Sequence, residues 1–144
     1  MSGRTIALDG LSLKLDDIVR VARHGDAVCL GEEAVQAVKK AAALVARWAD
    51  SEQVIYGITT GFGDLASVKI SREDRDVLQE NLLRSHACGV GEPYPVDVTR
   101  AIMLLRINTL SRGHSGISFE TLSGLIALLN AGIHPLIPCQ GSVG

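Results

Sequence analysis

The residues best suited to chemistry lie in one short stretch, Tyr56-Gly57-Ile58-Thr59-Thr60-Gly61-Phe62-Gly63. It sets a phenol in a segment whose glycines let the backbone approach a ligand, and whose threonines can hydrogen-bond locally to hold an irregular path. The same pattern suits a structural loop in which Tyr56 packs as an amphipathic core residue. His86 is the second candidate, an imidazole able to donate or accept. Followed by Ala87-Cys88-Gly89, it also suits the role of a charge or cap at a helix C-terminus.

Other chemistries fall away on spacing. The four histidines, His24, His86, His114 and His134, lack the i,i+4 pairing and acidic neighbours of a metal site, so no metal is expected. Gly61-Phe62-Gly63-Asp64-Leu65-Ala66 matches the loose dinucleotide fingerprint, with Val54-Ile55-Tyr56 as its strand. That fingerprint must open directly into a helix that receives the pyrophosphate. Here Ala66-Ser67-Val68-Lys69-Ile70 alternates and the helix signal begins only at Ser71, so no nucleotide is expected. No lysine follows a glycine loop in the P-loop manner, no GxSxG elbow occurs, and no cysteine sits in an activating context.

The elements that must position these residues read mostly as helices. Leu15, Ile18, Val19 and Ala22 share a face of a helix that opens with Asp16 and Asp17 and is closed by Gly25. Ala27 to Leu30 reads as extended. Glu32 and Glu33 then open a helix carrying Val35, Val38, Ala42, Val45 and Ala49, with Trp48 as its anchor. Residues 54–70 read as a shaped loop. Ser71-Arg72-Glu73-Asp74 resembles a capping box and starts a helix that presents Val77, Leu78 and Leu82 and runs toward His86, before Gly89, Gly91, Pro93 and Pro95 break it. The next helix, residues 96–111, is apolar around nearly its whole circumference and is therefore expected to be buried on all sides. Arg106 interrupts it, and its uncharged stretch is shorter than the roughly 18–20 residues of a membrane span. A last helix carries Phe119, Leu122, Leu125, Ile126 and Leu129 and ends at Gly132, after which Pro135 and Pro138 stop regular structure.

Composition agrees with a mainly α fold. Of 144 residues 47% are hydrophobic but only 3% aromatic, which favours aliphatic helix packing over a β-sandwich. A net charge of -2 gives no bulk electrostatic case for nucleic acid or an anionic membrane. Cys29, Cys88 and Cys139 are widely spaced with no CxxC, and the N-terminus has no apolar run of signal-peptide length, so the cytoplasm is the expected compartment. There is no internal repeat and no domain linker. With a mean hydropathy of +0.23 and an all-apolar central helix, the chain is expected to be part of something larger, its residues 138–144 forming a flexible loop with no closing helix or strand.

Four ordered motifs resemble the aromatic amino acid ammonia-lyases, and within them the histidine-specific branch. These are Tyr56 to Gly63, Ser85-His86-Ala87-Cys88-Gly89, Arg106-Ile107-Asn108-Thr109-Leu110-Ser111-Arg112-Gly113-His114-Ser115-Gly116, and Ile137-Pro138 through Gly141-Ser142-Val143-Gly144. The likeness covers the chain from about Gly10 to its end. It implies the first part of an ammonia-lyase-type helical fold with a Gly/Thr-rich active-site loop, residues 1–144 being the N-terminal segment of a single larger chain without an internal domain boundary. In that family Gly-Ser-Val-Gly is followed by Ala-Ser-Gly, which cyclises and loses water to form the electrophilic group 4-methylidene-imidazole-5-one (MIO). The tripeptide is therefore expected directly after Gly144, and no cofactor-binding residue is expected within the chain.

The resemblance further implies loss of ammonia from an amino acid, which needs an electrophile for the amine and a base for the weakly acidic β proton. Tyr56 matches the family's loop tyrosine, which stands over the MIO group and takes part in acid/base transfer; a phenol does this only where its site lowers a pKa near 10. His86 matches the residue that faces the substrate imidazole in histidine lyases, where tyrosine lyases carry His-Leu and phenylalanine lyases usually Phe-Leu in place of Ser85-His86. Gly63 matches a position where backbone lies against substrate, and Phe62 shapes that wall. The segment from Arg106 to Gly116 is structural in this reading. The implied activity is deamination of L-histidine to urocanate in a cytoplasmic homotetramer, with the remainder of the chain and other subunits completing each site. A tyrosine or phenylalanine lyase, a 2,3-aminomutase, and a non-catalytic helical fragment acting only in assembly are the alternatives.

Overall fold

The structure is a computed structural model that describes residues 4–141. Helix dominates, with α1 (Leu15–His24), α2 (Glu32–Ala49), α3 (Arg72–His86), α4 (Val96–Leu110) and α5 (Phe119–Asn130). Four short strands accompany them: β1 (Thr5–Leu8), β2 (Ala27–Leu30), β3 (Val90–Pro93) and β4 (Pro138–Gln140). The mainly α expectation holds. The chain divides into two compact units, one of residues through Ala43 together with Glu92–Ile137, the other of Leu44–Gly91 with the residues from Pro138.

In the first unit β1 and β2 pair in parallel, Thr5 opposite Ala27 and Leu8 opposite Leu30. The core gathers Ile6 and Leu8 of β1, Val21 of α1, Val28 of β2, Val38 of α2, Leu104, Ile107 and Leu110 of α4, and Leu122 and Leu129 of α5. Local chemistry sets the ends of these helices. Gly25 adopts φ 74° and closes α1 by donating its N–H to the Arg20 carbonyl, and the Ser118 hydroxyl accepts from the Thr121 N–H to open α5. Before α1, the Asp9 carboxylate accepts from the N–H groups of Leu11 at 2.7 Å and Ser12 at 2.8 Å. These bonds hold its pKa down to about 2, so their support of the turn is complete above the ordinary carboxylate range and fades as pH falls toward 2.

Two polar side chains tie this unit together. Arg100 of α4, 8% exposed, donates through Nε and Nη2 to the Val21 carbonyl at 3.2 and 2.9 Å, and through Nη1 to the Leu129 carbonyl at 3.0 Å. These oxygens lie in the last turns of α1 and α5, where carbonyls lack intrahelical partners and the helix dipoles are negative. Asn130 meets β2 as a strand would: its Oδ1 accepts from the Val28 N–H and its Nδ2 donates to the Val28 carbonyl, both at 2.9 Å.

Several expectations change here. On α1 the buried residue is Val21, while Leu15 is 80% and Val19 41% exposed. α4 buries one face only, Leu104, Ile107 and Leu110 packing inward with Ile102 and Leu105 open, because its described partners are α1 and α5. Trp48 is half-buried. β1 was not foreseen at all. In the segment from Arg106 to Gly116, Asn108 Oδ1 accepts from the Gly10 N–H at 3.1 Å and the Ser111 hydroxyl donates to the Asn108 carbonyl at 2.7 Å, as suits a structural role.

Residues 138–140 are not a loop: they form β4, paired with β3. Pro138 opens the strand, where a missing N–H is tolerated. Gly91 makes the approach possible, since a Cβ there would stand 3.1 Å from Cys139 Sγ. Ser142, Val143 and Gly144 of the fourth motif lie outside the described residues. Among the described residues no helix is long and apolar enough to cross a membrane.

Candidate active site

The loop of residues 54–70 is irregular but tightly bonded. Thr59, fully buried, donates from Oγ1 to the Gln53 carbonyl at 2.7 Å and accepts from the Ile55 N–H at 2.8 Å. Thr60, 3% exposed, accepts from the Gly57 N–H at 3.3 Å and donates to the Gly61 carbonyl at 3.0 Å. The two hydroxyls thus bond the backbone on both sides of Tyr56. An antiparallel bridge of Thr60 with Lys69 closes the loop, supported by Ile70 N–H to Thr59 carbonyl at 2.9 Å. A Cβ on Gly61 would stand 2.6 Å from Leu65 Cβ, so a side chain there would displace the turn.

Held this way, Tyr56 is 63% exposed, which sets aside a core tyrosine within this chain. Its ring meets Phe62 edge to face, centroids 5.9 Å apart at 83°. Gly63, at φ 58°, begins a single 3-10 turn through Leu65, and no atom lies within 4 Å of where its Cβ would be. The structure therefore brings Tyr56 and Phe62 together beside open backbone at Gly63. It also removes the dinucleotide reading: Val54-Ile55-Tyr56 is not a strand, and no α-helix begins between Gly61 and Arg72.

Replacing Thr59 by valine keeps the shape and deletes both side-chain bonds, so we expect a loss of about 1–3 kcal/mol in loop stability. Hydrogen exchange of residues 54–60 in the full-length protein should quicken about ten-fold or more; unchanged exchange would show that the hydroxyl does not hold the loop.

His86 is the last residue of α3, a helix opened by the Ser71 hydroxyl accepting from the Asp74 N–H at 3.1 Å. Arg75 of the same helix donates to the Ala49 carbonyl at 2.6 Å, covering the end of α2. The His86 ring is exposed. Its Nδ1 lies 2.9 Å from the Leu82 carbonyl and 2.9 Å from Ser85 Oγ. A carbonyl only accepts, so Nδ1 carries the hydrogen and donates. The capping role expected of a terminal histidine is thus fulfilled by Nδ1, while Nε2 makes no hydrogen bond among the described residues. Ser85 and the Leu82 carbonyl are the contributors that sequence reasoning missed as partners of this ring. Spacing i,i+4 on a helix end was the available signal. Among the described residues no group of His, Cys, Asp and Glu could hold a metal ion.

A family model described as aromatic amino acid lyase matches residues 13–144. The curated histidine ammonia-lyase of Streptococcus pyogenes serotype M49 is 50% identical over 141 residues, 98% of this chain and 28% of that protein. The chain therefore spans a little over a quarter of the length of the curated relatives it matches. Among solved structures, the tyrosine aminomutase of Streptomyces globisporus superposes with a TM-score of 0.90 at 35% identity, covering 96% of this chain and 26% of that one. The histidine ammonia-lyase of Trypanosoma cruzi does so with a TM-score of 0.88 at 37% identity, covering 98% and 27%.

Proposed function

We propose, on the premise that this chain belongs to the aromatic amino acid lyase family, that it is the N-terminal segment of a single larger ammonia-lyase chain that deaminates L-histidine to urocanate. The observation that carries the substrate is the half-identity with a histidine ammonia-lyase over nearly the whole chain. The paired Ser85 and His86 at the exposed end of α3 support it.

The group we infer for this reaction is MIO, formed from a tripeptide beyond Gly144. The loop suits it: an exposed phenol braced by Phe62 stands beside backbone left open at Gly63, which a flat heterocycle and a substrate can approach. Tyr56 is the residue of this chain that would stand over it. When present, the group supplies an electrophile that makes the amine a competent leaving group.

The chain's own residues have distinct tasks in this reading. Tyr56 Oη carries the proton transfer, and the threonine-bonded backbone on either side fixes where that oxygen stands. His86 Nε2 faces the substrate ring, Phe62 walls the pocket, and Gly63 lets the substrate lie against main chain. The apolar side chains left open on α4, Ile102 and Leu105, support burial by the rest of the polypeptide or by further subunits, as in a cytoplasmic homotetramer.

The second reading, an MIO-dependent aminomutase, is favoured by the fold shared with the Streptomyces globisporus enzyme. An intact-mass measurement of the purified protein separates both from a fragment acting only in assembly. A long chain bearing a doubly dehydrated Ala-Ser-Gly supports the enzyme; a 15.3 kDa species alone contradicts it.

A further inference from the structure

We propose that Ser85 is a positioning residue: with the Leu82 carbonyl it holds His86 in the Nδ1–H tautomer, so that Nε2 meets the substrate only as a hydrogen-bond acceptor and favours side chains whose ring carries a donor. The proposal rests on the reading of His86 as substrate-facing and adds what fixes its polarity.

The geometry closes in one direction. Ser85 Oγ lies 2.9 Å from the Leu82 carbonyl, to which its O–H must donate. Its lone pairs then face His86 Nδ1 at 2.9 Å, and Nδ1 also lies 2.9 Å from the same carbonyl. One N–H is therefore shared between two acceptors, and neither can be satisfied by a bare Nδ1 while the hydroxyl serves the carbonyl. In the neutral ring the second nitrogen is then an acceptor. An imidazole N–H of the substrate can meet it. The unsubstituted ring of phenylalanine cannot, and would leave that nitrogen desolvated and unpaired. Removing the hydroxyl leaves Nδ1–H a single acceptor, and the ring can turn or change tautomer more freely.

The test uses the full-length enzyme with three variants, Ser85→Ala, Ser85→Thr and His86→Ala. Loss of one neutral hydrogen bond corresponds to about a five-fold change in an equilibrium. Ser85→Ala should therefore raise KM for L-histidine about five-fold while kcat and the unfolding midpoint stay put, and Ser85→Thr should restore KM. In the wild type, nitrogen NMR of 15N-histidine-labelled protein should report Nδ1 protonated and Nε2 bare for His86, with the signals converging in Ser85→Ala. An unchanged KM in Ser85→Ala, no rescue by threonine, or a protonated Nε2 in the neutral wild-type ring each overturns the proposal. His86→Ala separates the two levels. If it raises KM while Ser85→Ala does not, only the positioning role falls; if His86→Ala leaves KM unchanged, the substrate-facing role falls and this inference with it.

Discussion

Replacing Tyr56 with phenylalanine in the full-length protein is expected to lower kcat by about a hundred-fold to ten-thousand-fold, the range a positioned acid/base group supplies. The substitution removes one oxygen and little else. The ring that meets Phe62 edge to face is retained, and the bonds that shape the loop belong to Thr59 and Thr60 rather than to the phenol. KM for L-histidine should therefore change far less than kcat, and the subunit assembly and circular dichroism should match the wild type. Steady-state kinetics beside size-exclusion chromatography measures both. A variant with near-normal kcat would remove Tyr56 from the chemistry and return the loop to a structural role.

The largest expected effect on stability lies far from that loop in sequence, at Arg100. Its guanidinium is buried and satisfied by main-chain oxygens of Val21 and Leu129 rather than by a carboxylate. Arg100→Met keeps much of the apolar stem but strands the Val21 carbonyl at the end of α1, a group that is costly to leave unpaired, while the Leu129 carbonyl keeps the Gly132 N–H at 3.2 Å. We expect a loss of about 3 kcal/mol, the upper end for hydrogen bonds from a charged donor whose buried acceptor is left unpaired. Arg100→Lys should recover only part of it, because an ammonium cannot fork to two helix ends in the way a planar guanidinium does. Denaturant unfolding gives the total, and hydrogen exchange in the last turns of α1 and α5 gives the location. A methionine variant as stable as the wild type would mean that the Val21 carbonyl finds another partner.

These two residues illustrate what the linear chain reveals. Helices with apolar spacing and a clear start or stop were legible: the hydroxyl of Ser71 and the left-handed Gly25 are local signals with local consequences. Of the strands only β2 was, as the extended stretch from Ala27 to Leu30. β1 and β4 have four and three residues, too few for a period of two to stand out. Gly89 and Gly91 read as breaks, although the structure uses them to bring β3 against β4, and a sequence carries no record of which neighbour approaches a bare Cα. The apolar run on α4 does not bury all round, because burial depends on partners, and the described residues supply them on one side only. Arg100 escaped notice because a charged residue in an apolar helix has no visible partner until α1 and α5 end beside it.

The candidate site divides along the same line. Tyr56 and Phe62 are six residues apart in one loop, whose irregular path could be read from the glycines and threonines between them, although their edge-to-face contact could not. The setting of His86 could not. It depends on a rotamer that folds the ring back onto the carbonyl four residues earlier and onto its neighbour's hydroxyl. Sequence alone offered two roles for this histidine, terminal cap and substrate contact. The structure leaves room for both, one on each ring nitrogen.

A competition between substrates decides whether histidine is the one deaminated. The full-length protein is given equal concentrations of L-histidine, L-tyrosine and L-phenylalanine, and the products are separated and quantified over time. Urocanate and ammonia are expected in equal amounts as the dominant products, with coumarate, cinnamate and β-amino acids at trace level. A coumarate, a cinnamate or a β-amino acid forming in place of urocanate would contradict histidine as the substrate.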